Sequence, residues 1–142
     1  MSENIELLNF IYQNSQMGVV TIKQLMEIVQ EDSFLNCIQS QYNEYEEINK
    51  AALKLLNENG YDEKGISAFE KIKTYLMINI QTITNKTSSH IAEMLIIGSN
   101  MGIINAIKNL KKYTKADQEI QYLMQRLLKF EENNVQELKN YL

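Results

Sequence analysis

The chain has 142 residues, 44% of them hydrophobic and 23% charged, with a formal net charge of −4, the composition of one globular domain over 1–142 and not of a disordered tail. One arginine, Arg126, among 14 basic residues excludes the usual nucleic-acid footprint of arginine forks and basic patches. A lone cysteine, Cys37, excludes an intrachain disulfide, so no oxidising compartment is implied.

There is no proline, and the five glycines are scattered, which leaves few internal stops and favours long helices. Ile5, Leu8, Tyr12, Ser15, Val19, Ile22, Met26 and Val29 recur in alternating steps of three and four. That heptad seam predicts a helix over 3–31. A second seam, Phe34, Ile38, Gln41, Tyr45, Ile48, Ala52 and Leu55, lies on a different face from an extended first one. A turn near 31–33, with Asp32 or Ser33 as N-cap, therefore separates it as a helix over 33–59. Asn59-Gly60 supplies the residue types of a left-handed C-cap.

Ser67, with Glu70 three residues on, resembles a capping box. Phe69, Ile72, Leu76, Ile80 and Ile83 then predict a helix over about 66–83. The polar, β-branched run Thr82–Ser89 breaks the pattern, and Ser88 or Ser89 can cap the next helix, expected over His90–Tyr113. The cluster Lys108, Lys111, Lys112 and Lys115 reads as favourable charge near that helix's C-terminus. The last helix is expected over Ala116–Leu142, with Ile120, Leu123, Leu127 and Leu138 inward.

The segments 3–31, 33–59, 88–113 and 115–141 are each about 26 to 29 residues, or roughly 40 Å of helix, equal lengths that suit a four-helix bundle. Residues 61–87 are longer than a simple up-and-down bundle needs there. A connection of that length can travel back along the bundle, giving two antiparallel hairpins joined by a crossover that carries an extra helix. With this helix spacing, the T-N-K-T-S-S-H break and the segment H-I-A-E-M-L-I-I-G-S-N-M-G-I, nearly the whole chain resembles the ferritin-like group of uncharacterised bacterial four-helix bundles, those classed as domains of unknown function. The resemblance implies an all-α, ferritin-like bundle. Di-iron members of that fold carry Glu-x-x-His on two helices, whereas His90 is the sole histidine here and Thr87 stands three residues before it. The resemblance therefore supports the fold and argues against a di-iron oxidase.

On the helix from His90, residues His90, Met94, Ile97, Met101 and Ile104 fall on one stripe, with Glu93 about 60° from its centre. Glu131 and Asn134 interrupt the last helix's apolar stripe, and Gln41 takes a seam position of the second helix. In the crossover topology these groups share a height, so His90, Glu93, Glu131, Asn134 and Gln41 form a candidate polar cluster. His90, Glu93 and Glu131 are the candidate ligands of a single divalent ion such as zinc. The plain reading is a register-setting hydrogen-bond network with no cofactor. Cys37 has no basic neighbour to activate it, and Glu44, Glu46 and Glu47 read as a solvated face.

Ala92, Ile96 and Ile103 form a second apolar face on the same helix, to be covered by the crossover helix or by a second subunit. The stretch Ile91–Ile104, interrupted by Glu93, Gly98, Ser99, Asn100 and Gly102, falls short of the run of about 20 apolar residues that spans a bilayer. The N-terminus MSENIELLNF lacks the basic region of a secretory signal, so a cytoplasmic location is expected. No phosphate loop, nucleophile elbow or Cys-x-x-Cys is present. The functional expectation is a non-catalytic interaction or structural module that self-associates as a homodimer. The alternatives are a metal-binding or oxidoreductase-type bundle, and small-molecule or lipid binding between helices through Met94 and Met101.

Overall fold

The computed structural model describes residues 2–62 and 70–142, with Lys71 described by its backbone alone. The described residues form five helices and no strand. These are α1 (Glu3–Met26), α2 (Asp32–Glu58), α3 (Glu70–Gln81), α4 (Ser88–Lys112) and α5 (Gln118–Lys139). The start expected for the crossover helix, including the Ser67 capping box, lies outside the described residues.

Each boundary has a local cause. Ser2 caps α1, its hydroxyl accepting from the Ile5 N–H at 3.3 Å. The helix stops at Met26, a turn earlier than its seam runs, and Val29 lies in the connection beyond it, half-buried against the core. The N-cap of α2 is Glu31, one residue before the expected Asp32, and its carboxylate accepts from Ser88 Oγ instead of from its own helix. Thr87, not Ser88 or Ser89, caps α4 by accepting from the His90 N–H at 3.2 Å. Gly60 has φ +78°, a conformation that costs a side-chain-bearing residue about 1 kcal/mol. Gly60→Ala should lower stability by about that amount in a denaturant titration, since nothing crowds the added methyl.

Polar contacts at the ends fix the helix directions. The α4–α5 turn sits on the start of α1, where the Lys115 N–H donates to the Glu3 carboxylate and the Asp117 N–H to Asn4 Oδ1, both at 2.7 Å. The other end of the molecule joins Ser33 to the Tyr141 hydroxyl at 3.0 Å and Ser88 to Glu31. Helix α1 thus runs antiparallel to α2 and α4 and parallel to α5. The chain leaves α2 at one end and enters α4 at the other, and α3 lies within that return.

Helix α1 touches all four other helices, and over Ile5–Ser15 it is buried almost all round, Asn9, Gln13, Asn14 and Ser15 included. A single heptad seam does not describe a helix with four neighbours. On α2 the buried set is Phe34, Ile38, Gln41, Tyr45, Ile48, Ala52 and Leu56, the seam with Leu56 in place of Leu55 at its end, because 3.6 residues per turn drift against a strict heptad.

On α4 the inward side is Ile91, Met94, Leu95, Gly98, Gly102 and Ala106; of the expected stripe, Met94 is buried and Met101 half-buried, whereas Ile97 and Ile104 turn outward. Ile97 is 41% and Ile104 54% exposed. The small residues decide this: a methyl added at Gly98 would lie 3.2 Å from Leu76 of α3, and one at Gly102 would lie 3.3 Å from Glu131 of α5. Neighbouring helices approach most closely where side chains are smallest, so the bulky isoleucines turn outward. By length and composition α4 is also apolar enough to cross a membrane, the one such helix among the described residues, and 39% of that window is buried inside the protein.

Candidate functional site

The midpoint of the core holds an acid. Glu131, on the inward face of α5, is 2% exposed and is reached from two other helices. Asn14 of α1 donates its Nδ2 to Glu131 Oε1 at 2.9 Å, and Tyr45 of α2 donates its hydroxyl to Oε2 at 3.0 Å. Gly102 of α4 supplies the clearance for the carboxylate on the fourth side. Among the described residues, no lysine, arginine or histidine makes an ion pair with Glu131; Arg126, on the same helix, is forked onto Glu44 at 2.7 and 3.1 Å at the surface.

Desolvation dominates the electrostatics of that carboxyl. Burial raises its pKa from the ordinary value of 4.5 to about 7, against the opposing pull of the Tyr45 and Asn14 hydrogen bonds. Burial, and then the charge of Glu131, pushes the Tyr45 phenol well above its ordinary range, so it remains a hydrogen-bond donor. The ring of Tyr45 stands edge-on to Phe130 at 4.7 Å, which fixes where the hydroxyl points.

A cavity of about 30 Å³ adjoins this group, lined by Asn14, Gly18, Gln41, Tyr45, Ser99 and Glu131 among others. It has room for one or two water-sized guests, far below the several hundred Å³ (about 300 or more) of small-molecule sites. Asn14 Oδ1 is buried with no hydrogen-bond partner among the described residues, as are Asn134 Nδ2 and Asn9 Oδ1. The arrangement can hold one proton near neutrality and fix the register of α1, α2 and α5. It offers no second acid, thiol or imidazole among the cavity's lining residues to relay a proton or form a nucleophile–base pair.

Of the residues singled out in the sequence, Glu131 and Gln41 line this one cavity. Asn134 is buried three residues further along α5, beside the Tyr45 phenol. His90 and Glu93 are elsewhere. His90 lies in the first turn of α4, twelve residues or about 18 Å of helix from the Gly102 that faces Glu131, and Glu93 is exposed, its charge felt by Tyr75 of α3. The three candidate metal ligands are therefore not brought together, and the described residues contain no group of three or more His, Cys, Asp or Glu side chains placed to hold a metal ion. The donors around Glu131 are amides and hydroxyls, a poor set for zinc. Asn14, the direct partner of Glu131, was missed. The available signal was the polar run Gln13-Asn14-Ser15 inside a helix otherwise rich in large apolar residues.

Cys37 is half-buried, and burial followed by the charge of Glu137 pushes its thiol up to about 11, which makes it a poor nucleophile. On α4, Ala92 is fully buried in the core, while Ile96 and Ile103 are half-buried. Helix α3 covers the neighbouring side through Leu76. What remains outward is Ile97, Ile104 and Ile107, the last 38% exposed, in line with Glu93, Asn100 and Lys108. Comparison with protein-family models, curated proteins and solved structures gives no match.

Proposed function

We propose that the chain is a ferritin-like four-helix bundle, with α1, α2, α4 and α5 as its bundle helices and α3 on the crossover, and that it serves as a non-catalytic interaction or structural module that self-associates. The observation that carries this reading is the outward line of isoleucines on α4. Three large apolar side chains on one helix face, each more than a third exposed, form a patch that soluble surfaces seldom leave uncovered. The return of the chain between α2 and α4 supports the bundle topology. The buried acid supports a structural role: it ties three helices together in a cavity too small for a metabolite.

Sedimentation velocity over a concentration series is the test. Concentration-dependent dimer is expected for the natural sequence and monomer for the Ile97→Glu/Ile104→Glu variant, with unchanged helicity because both positions face outward. A natural sequence that stays monomeric throughout would overturn the reading.

A further inference from the structure

We infer that the partner of the α4 face is a second copy of the same helix lying antiparallel across a two-fold axis, with Glu93 of each chain opposite Lys108 of the other. This rests on the self-association proposed above and adds the geometry of the interface. At 100° per residue, Glu93, Ile97, Asn100, Met101, Ile104 and Lys108 share the outward half of α4, and all six are exposed or half-buried. Their positions are symmetric: Ile97 and Ile104, like Glu93 and Lys108, are equidistant from a point between Asn100 and Met101.

An isologous contact is self-complementary, because whatever residue i meets, its partner meets in return. Two antiparallel copies centred on that point set Ile97 against the partner's Ile104 twice, and Glu93 against the partner's Lys108 twice. The apolar pairs lie at the middle and the charges at the rim, the distribution found in specific interfaces. A parallel pair would instead stack Glu93 on the partner's Glu93 and Lys108 on the partner's Lys108, which like-charge repulsion disfavours. Among the described residues, Glu93 and Lys108 take part in none of the salt bridges, which join Lys50 to Glu46, Lys54 to Glu58 and Arg126 to Glu44 and Glu47.

Charge reversal on the full chain tests this geometry, with the dimer dissociation constant read by sedimentation equilibrium. Glu93→Lys alone and Lys108→Glu alone should each weaken the dimer by about tenfold, since each places two like-charged pairs at the rim. The double reversal should return it to within about threefold of the natural sequence. A dimer that both single reversals leave untouched would sink the antiparallel register while self-association stood. A natural sequence that is monomeric at every concentration would sink both. Monomers that instead float with phosphatidylcholine–phosphatidylglycerol vesicles, and cease to when Ile97 and Ile104 are charged, would also overturn the inference and assign the face to a membrane surface.

Discussion

Glu131→Gln should make the protein more stable at pH 8 by about 3 kcal/mol, or roughly 10 °C in Tm, and by less than about 1 kcal/mol at pH 5. The sign follows from where the proton sits. The carboxyl's pKa is about 7 in the fold against an ordinary 4.5. Below 4.5 the folded and unfolded chains both carry the proton, and the site imposes no pH-dependent cost. Between 4.5 and 7 the unfolded chain releases it and the folded one keeps it, so stability falls as pH rises. Above 7 the folded protein buries an ionised carboxylate and the full penalty is present. Its size is the pKa difference at about 1.4 kcal/mol per unit. This is the reverse of a salt-bridged carboxylate, whose contribution is lost on acidification.

Glutamine removes the charge and keeps the shape. Its amide oxygen accepts from one partner, and its NH2 can donate to the Tyr45 oxygen or to Asn14 Oδ1, which has no partner now among the described residues. Urea denaturation of both proteins at the two pH values separates this from a plain packing effect. Equal differences at pH 5 and pH 8 would mean that burial does not raise the acid's pKa in the fold.

The second large effect is steric. Gly18→Ala in a helix interior ordinarily gains about 1 kcal/mol; here it should cost about 2 kcal/mol. The added methyl would lie 2.7 Å from three ring carbons of Tyr45. That ring has nowhere to retreat. It is held edge-on by Phe130, and its hydroxyl is bonded to Glu131, so moving it also strips a donor from a buried acid. Chemical denaturation of Gly18→Ala, Tyr45→Leu and the double variant forms a cycle. The glycine substitution should turn neutral or favourable once the ring is gone, and an additive cycle would show that the two residues are not coupled.

How far the molecule could be read in advance varied by helix, and for physical reasons. Helix α2 meets its neighbours on one side, so its apolar residues alternate with charged ones and the seam from Phe34 to Ala52 matches what is buried. The inward Ile120, Leu123, Leu127 and Leu138 of α5 were legible for the same reason. Helix α4 was not, because hydrophobicity ranks isoleucine above glycine while packing distance ranks them the other way. The spacing of Gly98, Gly102 and Ala106 was the better guide, but small residues register as neutral in any apolar periodicity. The long-range pairs, such as Asn14 with Glu131, 117 residues apart, depend on which helices are neighbours, and periodicity within one helix carries no information about that.

The all-round burial of α1 bears on the order in which the molecule can assemble. The α1–α2 hairpin closes through a short loop at small entropic cost. On its own it leaves the Asn14 side of α1 facing water; the bond that closes it comes from Glu131, 117 positions away, and the start of α1 is tied to Lys115 and Asp117, more than a hundred positions away. Those distant closures raise the contact order and slow the late step of folding. Until α5 arrives, Asn14 and Tyr45 are solvated and Glu131 titrates as an ordinary acid. The final collapse should therefore take up a proton near pH 6, and the refolding rate should fall as the buffer is made more alkaline.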